Sequence, residues 1–198
     1  MSAPRPPRIR LASASPRRRD LLAGIDVDVE VRPVDIDETP FPGEVAEAYV
    51  TRLAREKALA GHSSGGMPTL GADTVVVRDG EILGKPLDAA HAAAMLRSLA
   101  GRSHEVMTAV TVVGPAGVLV SAVRSRVTLR DIEAAEIDAY WLTGEPADKA
   151  GGYAIQGRGA IFVTHLDGSY SAVVGLPLCE TADLLSRQGV PLWNHPVS

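Results

Sequence analysis

The chain has a single cysteine, Cys179, in 198 residues. A lone cysteine excludes an internal disulfide and a cysteine-based zinc site, which is the usual state of a protein in a reducing cytosol, and its expected role is core filling at a helix start. Long apolar runs are also missing: none approaches the ~20 residues needed to cross a bilayer. The first ten residues carry three arginines and three prolines but no apolar stretch of the kind a secretion signal needs. An excess of one charge is absent too. Twenty Lys and Arg against 24 Asp and Glu leave a net charge of -4, which argues for neither nucleic acid nor an anionic membrane, so any anion site must be local.

Several motifs are absent as well. The five histidines, His62, His91, His104, His165 and His195, have no metal-ligand spacing. There is no dinucleotide fingerprint, no His-Glu-x-x-His, no nucleophile elbow and no internal repeat. Gly80-x-x-x-Gly84-Lys85 is a residue short of a phosphate-binding P-loop, and Pro86 stands where Ser or Thr would hold magnesium. What remains is a cytoplasmic globular chain whose 45% hydrophobic content suffices for a real core. We expect a flexible leader over residues 1–8, a single domain over 9–190 and a tail over 191–198.

The pattern predicts a strand at 9–12, then a helix at 16–23 with Ser15 as N-cap and Pro16 at its first position. A strand at 27–31 and an acidic loop at 35–40 precede the longest helix, 43–61. A strand at 69–77, interrupted by Gly71-Ala72-Asp73, turns at 78–80 into a strand at 81–83. Asp88 caps a helix through Leu99. Strands at 104–113 and 118–129 form a hairpin, 133–142 is a helix, 170–174 reads as a strand ending at Gly175 and Pro177, and a last helix covers 178–188. Strands and helices mix without strict alternation. The expected fold is α/β, a mixed twisted sheet flanked by helices, with a cleft.

The stretch richest in information is Asp148 to Gly157, followed by Gly168 to Pro177. Five glycines with a buried-looking Gln156 among charged groups are hard to explain as packing, since each glycine inside an element costs roughly 0.5 to 1 kcal/mol relative to alanine. Close backbone approach to a ligand would compensate. Ser13-Ala14-Ser15-Pro16-Arg17-Arg18-Arg19 is a second candidate: free amides, the positive end of a helix and guanidiniums together suit a phosphate. In Gly71-Ala72-Asp73-Thr74, Asp73 sits inside an apolar strand, where a carboxylate has to be paired, metal-bound or at an open edge. Lys57 and Lys85, taken singly, read as solvated surface lysines. Glu38 in the acidic loop and Asp73 offer hard oxygen donors suited to magnesium or manganese shared with substrate phosphates.

Ser13 to Arg18, Arg55-Glu56-Lys57-Ala58, Gly71 to Thr74, Gly84-Lys85-Pro86, Asp148 to Gly157 and Gly168 to Pro177, in that order between about residues 9 and 188, resemble the Maf family of nucleoside triphosphate pyrophosphatases. The resemblance implies a fold similar to that of inosine triphosphate pyrophosphatases, with a deep substrate cleft and commonly a homodimer. It further implies hydrolysis of a nucleoside triphosphate to the monophosphate and pyrophosphate with a divalent cation. By resemblance Asp73 is the general base, Ser13, Arg17, Arg18, Lys57 and Lys85 bind substrate, and Glu38 lies with Asp73 near the metal. Arg17, Thr74 and Gln156 match the branch acting on dTTP and UTP, and a Gln amide can both donate to and accept from the O4 and N3–H edge of uracil or thymine. A rival expectation is a nucleotide-sensing regulator of cell division with little turnover.

Overall fold

The computed structural model describes residues 8–63 and 66–193. Apart from residue 8 and residues 191–193, the expected leader and tail lie outside the described residues, as does His195. Seven strands form one mixed sheet in the order β2-β1-β3-β5-β6-β7, with β4 pairing β3. They are β1 (Ile9–Leu11), β2 (Val29–Val31), β3 (Thr69–Arg78), β4 (Glu81–Leu83), β5 (Ser103–Gly114), β6 (Gly117–Leu129) and β7 (Val163–Asp167). β1 pairs in parallel with β2 and β3, whereas β4 on β3 and β7 on β6 are antiparallel. The helices are α1 (Pro16–Ala23), α2 (Ala46–Gly61), α3 (Ala89–Leu99), α4 (Ala134–Leu142), α5 (Tyr170–Val174) and α6 (Leu178–Arg187). The mixed α/β architecture is the one the sequence predicts. No helix among the described residues is long and apolar enough to cross a membrane.

Two compact units divide the chain. Of the described residues, one comprises 8–63, 66–73, 108–122 and 175–193, the other 74–107 and 123–174. The first buries Ile9, Leu11, Leu22, Leu70, Val110, Leu176 and Leu185 in its core. Its hairpin turn is sealed by Gln188, which is buried, accepts from the amide of Ala116 at 2.8 Å and donates to the carbonyl of Gly117 at 2.8 Å. In the second unit α3 packs on α4, with Leu96, Leu99, Ile137 and Phe162 buried.

Three local expectations are corrected. Residues 170–174 are helical, not a strand: the hydroxyl of Ser169 accepts from the amide of Ala172 at 3.2 Å and its carbonyl from that of Val173 at 3.1 Å, and this cap outweighs the β-propensity of Val173 and Val174. Ser15 stands at the N-cap of α1 with Pro16 first in the helix, as predicted, lacking only a side-chain cap hydrogen bond, whereas Cys179, expected to fill the core at a helix start, is exposed. Nor do Gly71, Ala72 and Asp73 interrupt β3, which runs unbroken.

Gly71 is required by α2. A Cβ at this position would stand 2.5 Å from the carbonyl oxygen of Ala54 and 2.5 Å from the amide of Ala58, both backbone atoms of the helix. Gly71→Ala is therefore expected to force helix and strand apart and to destabilise the protein by about 1–3 kcal/mol, read from chemical denaturation. An unchanged midpoint would show that the helix can shift freely.

His104, in the second unit, is buried with its Nε2 at 2.7 Å from the Tyr153 hydroxyl, and burial pulls its pKa down to about 4. A folded pKa below the unfolded value of about 6.5 means that the unfolded chain takes up the proton first. Stability is thus fully present above pH 6.5 and is lost as pH falls toward 4, by on the order of 3 kcal/mol. Denaturation across that range should show the loss, and His104→Gln should reduce it.

Candidate active site

β3 carries Asp73 toward α2 because side chains alternate along a strand, and the close approach at Gly71 brings the helix face holding Tyr49, Leu53 and Lys57 over it. Lys57 Nζ lies 2.7 Å from Asp73 Oδ1 and 2.7 Å from Glu38 Oε1. The Lys57 and Asp73 side chains are 11% and 12% exposed, so this is a largely dehydrated ion pair, whereas Glu38, at 54%, reaches in from solvent. Lys57 is therefore no solvated surface lysine. Of the alternatives open to Asp73 from sequence, it is paired.

Burial pushes the Asp73 carboxyl above its ordinary range, and Lys57 and Arg18 oppose that shift while Glu38 adds to it. Arg18 leaves α1 to donate from Nε to the carbonyl of Gly175 at 2.8 Å and from Nη1 to the hydroxyl of Ser13 at 3.1 Å. Burial lowers its pKa, with the neighbouring Arg17 contributing, and the charges of Asp73 and Glu38 oppose the shift. Ser13 Oγ, which is buried, thus accepts from both Arg18 and the Ser15 amide, so the hydrogen of its hydroxyl is what it can offer a ligand oxygen.

The first unit hence brings together Ser13, Arg18, Glu38, Lys57 and Asp73, with Arg17 beside Arg18. Thr74, Lys85 and Gln156 belong to the second. Thr74 follows Asp73 on β3 and is half-buried, and Lys85 is exposed. The carbonyl of Gly84 accepts from the amide of Gly151 at 3.0 Å, which fastens the Gly84-Lys85 segment to the glycine-rich stretch. Gln156, expected to be buried, is exposed at a turn.

Two residues that the motifs did not flag hold the acidic loop. The Arg52 guanidinium grips Glu44 with contacts of 2.7 Å from Nε and 2.7 Å from Nη2, donates to the carbonyl of Thr39 at 3.2 Å and lies 4.0 Å over the Phe41 ring. These hydrogen bonds pull the Glu44 carboxyl down to about 2. The Tyr49 hydroxyl donates to the carbonyl of Glu38 at 2.8 Å. The sequence signal was the placement of Tyr49 and Arg52 three apart on α2, facing an acidic loop.

Among the described residues there is no cluster of three or more His, Cys, Asp or Glu side chains fit to hold a metal ion. Glu38 and Asp73, converging on one ammonium, are two hard oxygen donors. That set fits magnesium or manganese, which commonly take one or two carboxylates and complete their shell with substrate phosphates and water.

Asp73, Lys57 and Arg18 thus form one largely buried group of interacting charges in the first unit. A profile of the family described as Maf-like protein matches residues 8–188, and the chain belongs to that family. Among its relatives, a dTTP/UTP pyrophosphatase of Hahella chejuensis is 50% identical over 94% of this chain and 95% of its own length. A dTTP/UTP pyrophosphatase of Anaeromyxobacter dehalogenans is 54% identical over 96% of this chain and 99% of its own. The structure of the Staphylococcus aureus Ham1 protein, 18% identical, aligns over 62% of this chain and 72% of that one with a TM-score of 0.45. The family assignment rests on the sequence matches.

Replacing Lys57 tests the ion pair. In Lys57→Met, Asp73 is left buried opposite a neutral side chain, which raises its pKa further and costs about 3 kcal/mol at neutral pH. A carboxyl whose folded pKa exceeds its unfolded value burdens the fold only once ionised. The deficit should therefore be full at pH 7 and shrink as pH falls, vanishing below about 4, where the carboxyl becomes protonated in the unfolded state as well as in the folded one. A deficit equal at both pH values would show that lost packing, not charge, is its source.

Proposed function

We propose that the protein hydrolyses nucleoside triphosphates between the α and β phosphates, with dTTP and UTP as substrates, releasing a monophosphate and pyrophosphate. The observation that carries this reading is the buried Asp73 carboxylate held by Lys57 and balanced by Arg18. The names of relatives that cover nearly the whole chain at half identity or better support it. No observation favours the rival reading of a sensor with little turnover.

In this reading Asp73 takes a proton from water while the water oxygen bonds to the α phosphorus. The bond from that phosphorus to the bridging oxygen breaks, and its electron pair leaves with pyrophosphate. A carboxylate whose pKa is raised is a stronger base than one in water, and Lys57 and Arg18 keep it from being simply protonated. Arg17, Arg18, Lys57 and Lys85 neutralise phosphate charge, and Ser13 donates its hydroxyl hydrogen to a phosphate oxygen. Glu38 and Asp73 would hold a magnesium or manganese ion, which supplies neutralisation of the leaving group's charge. Gln156 reads the base edge, with Thr74 shaping the same pocket. The cytoplasm is the compartment that offers such substrates.

Asp73→Asn, which keeps size and removes the base, should lower turnover about 10²- to 10⁴-fold with the fold intact by circular dichroism. Chromatography of wild-type products should show UMP and pyrophosphate from UTP, and formation of UDP would reject the reaction proposed. Activity should stop with a chelator and return with magnesium or manganese. Gln156→Ala should lower kcat/KM on UTP and dTTP by roughly 1 to 3 kcal/mol and act less on other nucleotides. A uniform loss across nucleotides would instead give Gln156 a part in folding or phosphate binding.

A further inference from the structure

Gln156 is exposed, yet the backbone around it is fastened on both sides by two side chains that no motif singles out. Tyr140, near the end of α4, donates its hydroxyl hydrogen to Glu145 Oε1 at 2.6 Å and accepts from the amide of Ala154 at 3.1 Å. Glu145 Oε2 accepts from the amide of Arg158 at 2.9 Å, and Oε1 from the amide of Gly159 at 3.0 Å. One hydroxyl and one carboxylate thereby hold amides two residues before Gln156 and two and three residues after it.

The glycines of this loop fit the clamp closely. A Cβ on Gly157 would stand 2.3 Å from Glu145 Oε2, and one on Gly159 would stand 2.6 Å from the Tyr140 hydroxyl oxygen. Gly157 has a φ of -112°, on the side of the map open to any residue, so contact and not backbone freedom calls for glycine there. The Tyr140 ring stands edge-on to Phe162, with centroids 5.2 Å apart, which fixes the hydroxyl from behind. The buried His104–Tyr153 hydrogen bond adds a tether at the start of the loop. Burial pushes the Glu145 carboxyl up, but hydrogen bonds from Tyr140, Arg158 and Gly159 outweigh it and leave the pKa below the ordinary value. An ionised carboxylate only accepts, and all three of these neighbours donate.

We propose that Tyr140 and Glu145 are positioning residues for base discrimination, a clamp that fixes the 154–159 loop so that Gln156 is presented in one orientation to a uracil or thymine edge. This rests on the reading of Gln156 as the base-reading side chain. The clamp places the amide at little entropic cost when substrate binds, because the loop is ordered beforehand by contacts that do not touch the nucleotide.

The test measures kcat and KM on UTP, dTTP and ATP for the wild type, Tyr140→Phe, Glu145→Gln, Gly157→Ala, Gln156→Ala and the double variant Tyr140→Phe with Gln156→Ala, with a melting temperature for each. Tyr140→Phe keeps the ring against Phe162, and Gly157→Ala displaces the carboxylate from the opposite side, so two unrelated substitutions probe one clamp. Each clamp variant is expected to lower the ratio of kcat/KM on UTP to that on ATP about tenfold, chiefly through KM on UTP. The double variant should be no less discriminating than Gln156→Ala by itself. Folded clamp variants that keep the wild-type ratio while Gln156→Ala loses it would overturn the clamp and leave the reading of Gln156 standing. Losses that multiply in the double variant, or that fall equally on all three nucleotides, overturn it too. If Gln156→Ala itself keeps the wild-type ratio, the base-reading assignment has failed and the clamp with it.

Discussion

Helix α2 lies on strand β3 with no side chain between them at Gly71, and the position of the charged groups follows from that closeness. With the backbone of Ala54 and Ala58 against the strand, Lys57 is carried on the helix to within 2.7 Å of Asp73, two residues along β3. A larger residue at 71 would lift the helix, and a lifted helix would leave a carboxylate buried without its ammonium. Packing and electrostatics are therefore the same constraint seen at two distances. The apolar stripe of α2, with Val50, Leu53, Ala54 and Ala58 buried, keeps the helix in place while its edge delivers charge.

Such an arrangement is costly to the fold. An ionised carboxylate taken out of water loses hydration that a single ammonium only partly restores, which is why burial dominates the shift of Asp73 even with Lys57 and Arg18 nearby. In the reaction proposed, the same dehydration would strengthen the charge interactions with a substrate phosphate. Glu38 answers a different need. It is more exposed, and its loop is secured through Arg52, Glu44 and Tyr49 without using the carboxylate of Glu38 itself. The Glu38 carboxylate is thereby left to pair with Lys57, at 2.7 Å.

The second unit follows the same logic with neutral and anionic acceptors. The exposed Gln156 has a defined place because side chains around it hold the main chain: the buried Tyr140 and the half-buried Glu145 on the loop's amides and the buried His104 on Tyr153. The glycines that first drew attention in this stretch serve at least in part to let those acceptors approach. Gly157 is flush against a carboxylate that a methyl group would displace. Their density was readable as a sign of close approach, but the approaching group within the described structure is a side chain of the protein.

By itself the sequence determined the kinds and order of most elements, because apolar periodicity and capping residues act locally: α1 spans the predicted residues, Asp88 caps α3, and the turn at 78–80 joins β3 to β4. It also determined which residue types are out of place in a core, and so singled out Asp73. Where local signals competed it misled. Val173 and Val174 favour a strand by propensity where the Ser169 cap makes a helix, and Gln156 is exposed although it stands among glycines that are themselves covered. Tertiary structure alone decided the partners. Lys57 and Asp73 are 16 residues apart, Arg18 and Gly175 are 157 apart, and Glu145 meets Gly159 across 14. The energy of such pairs depends on distance and on the removal of water, and both exist only once the chain has packed.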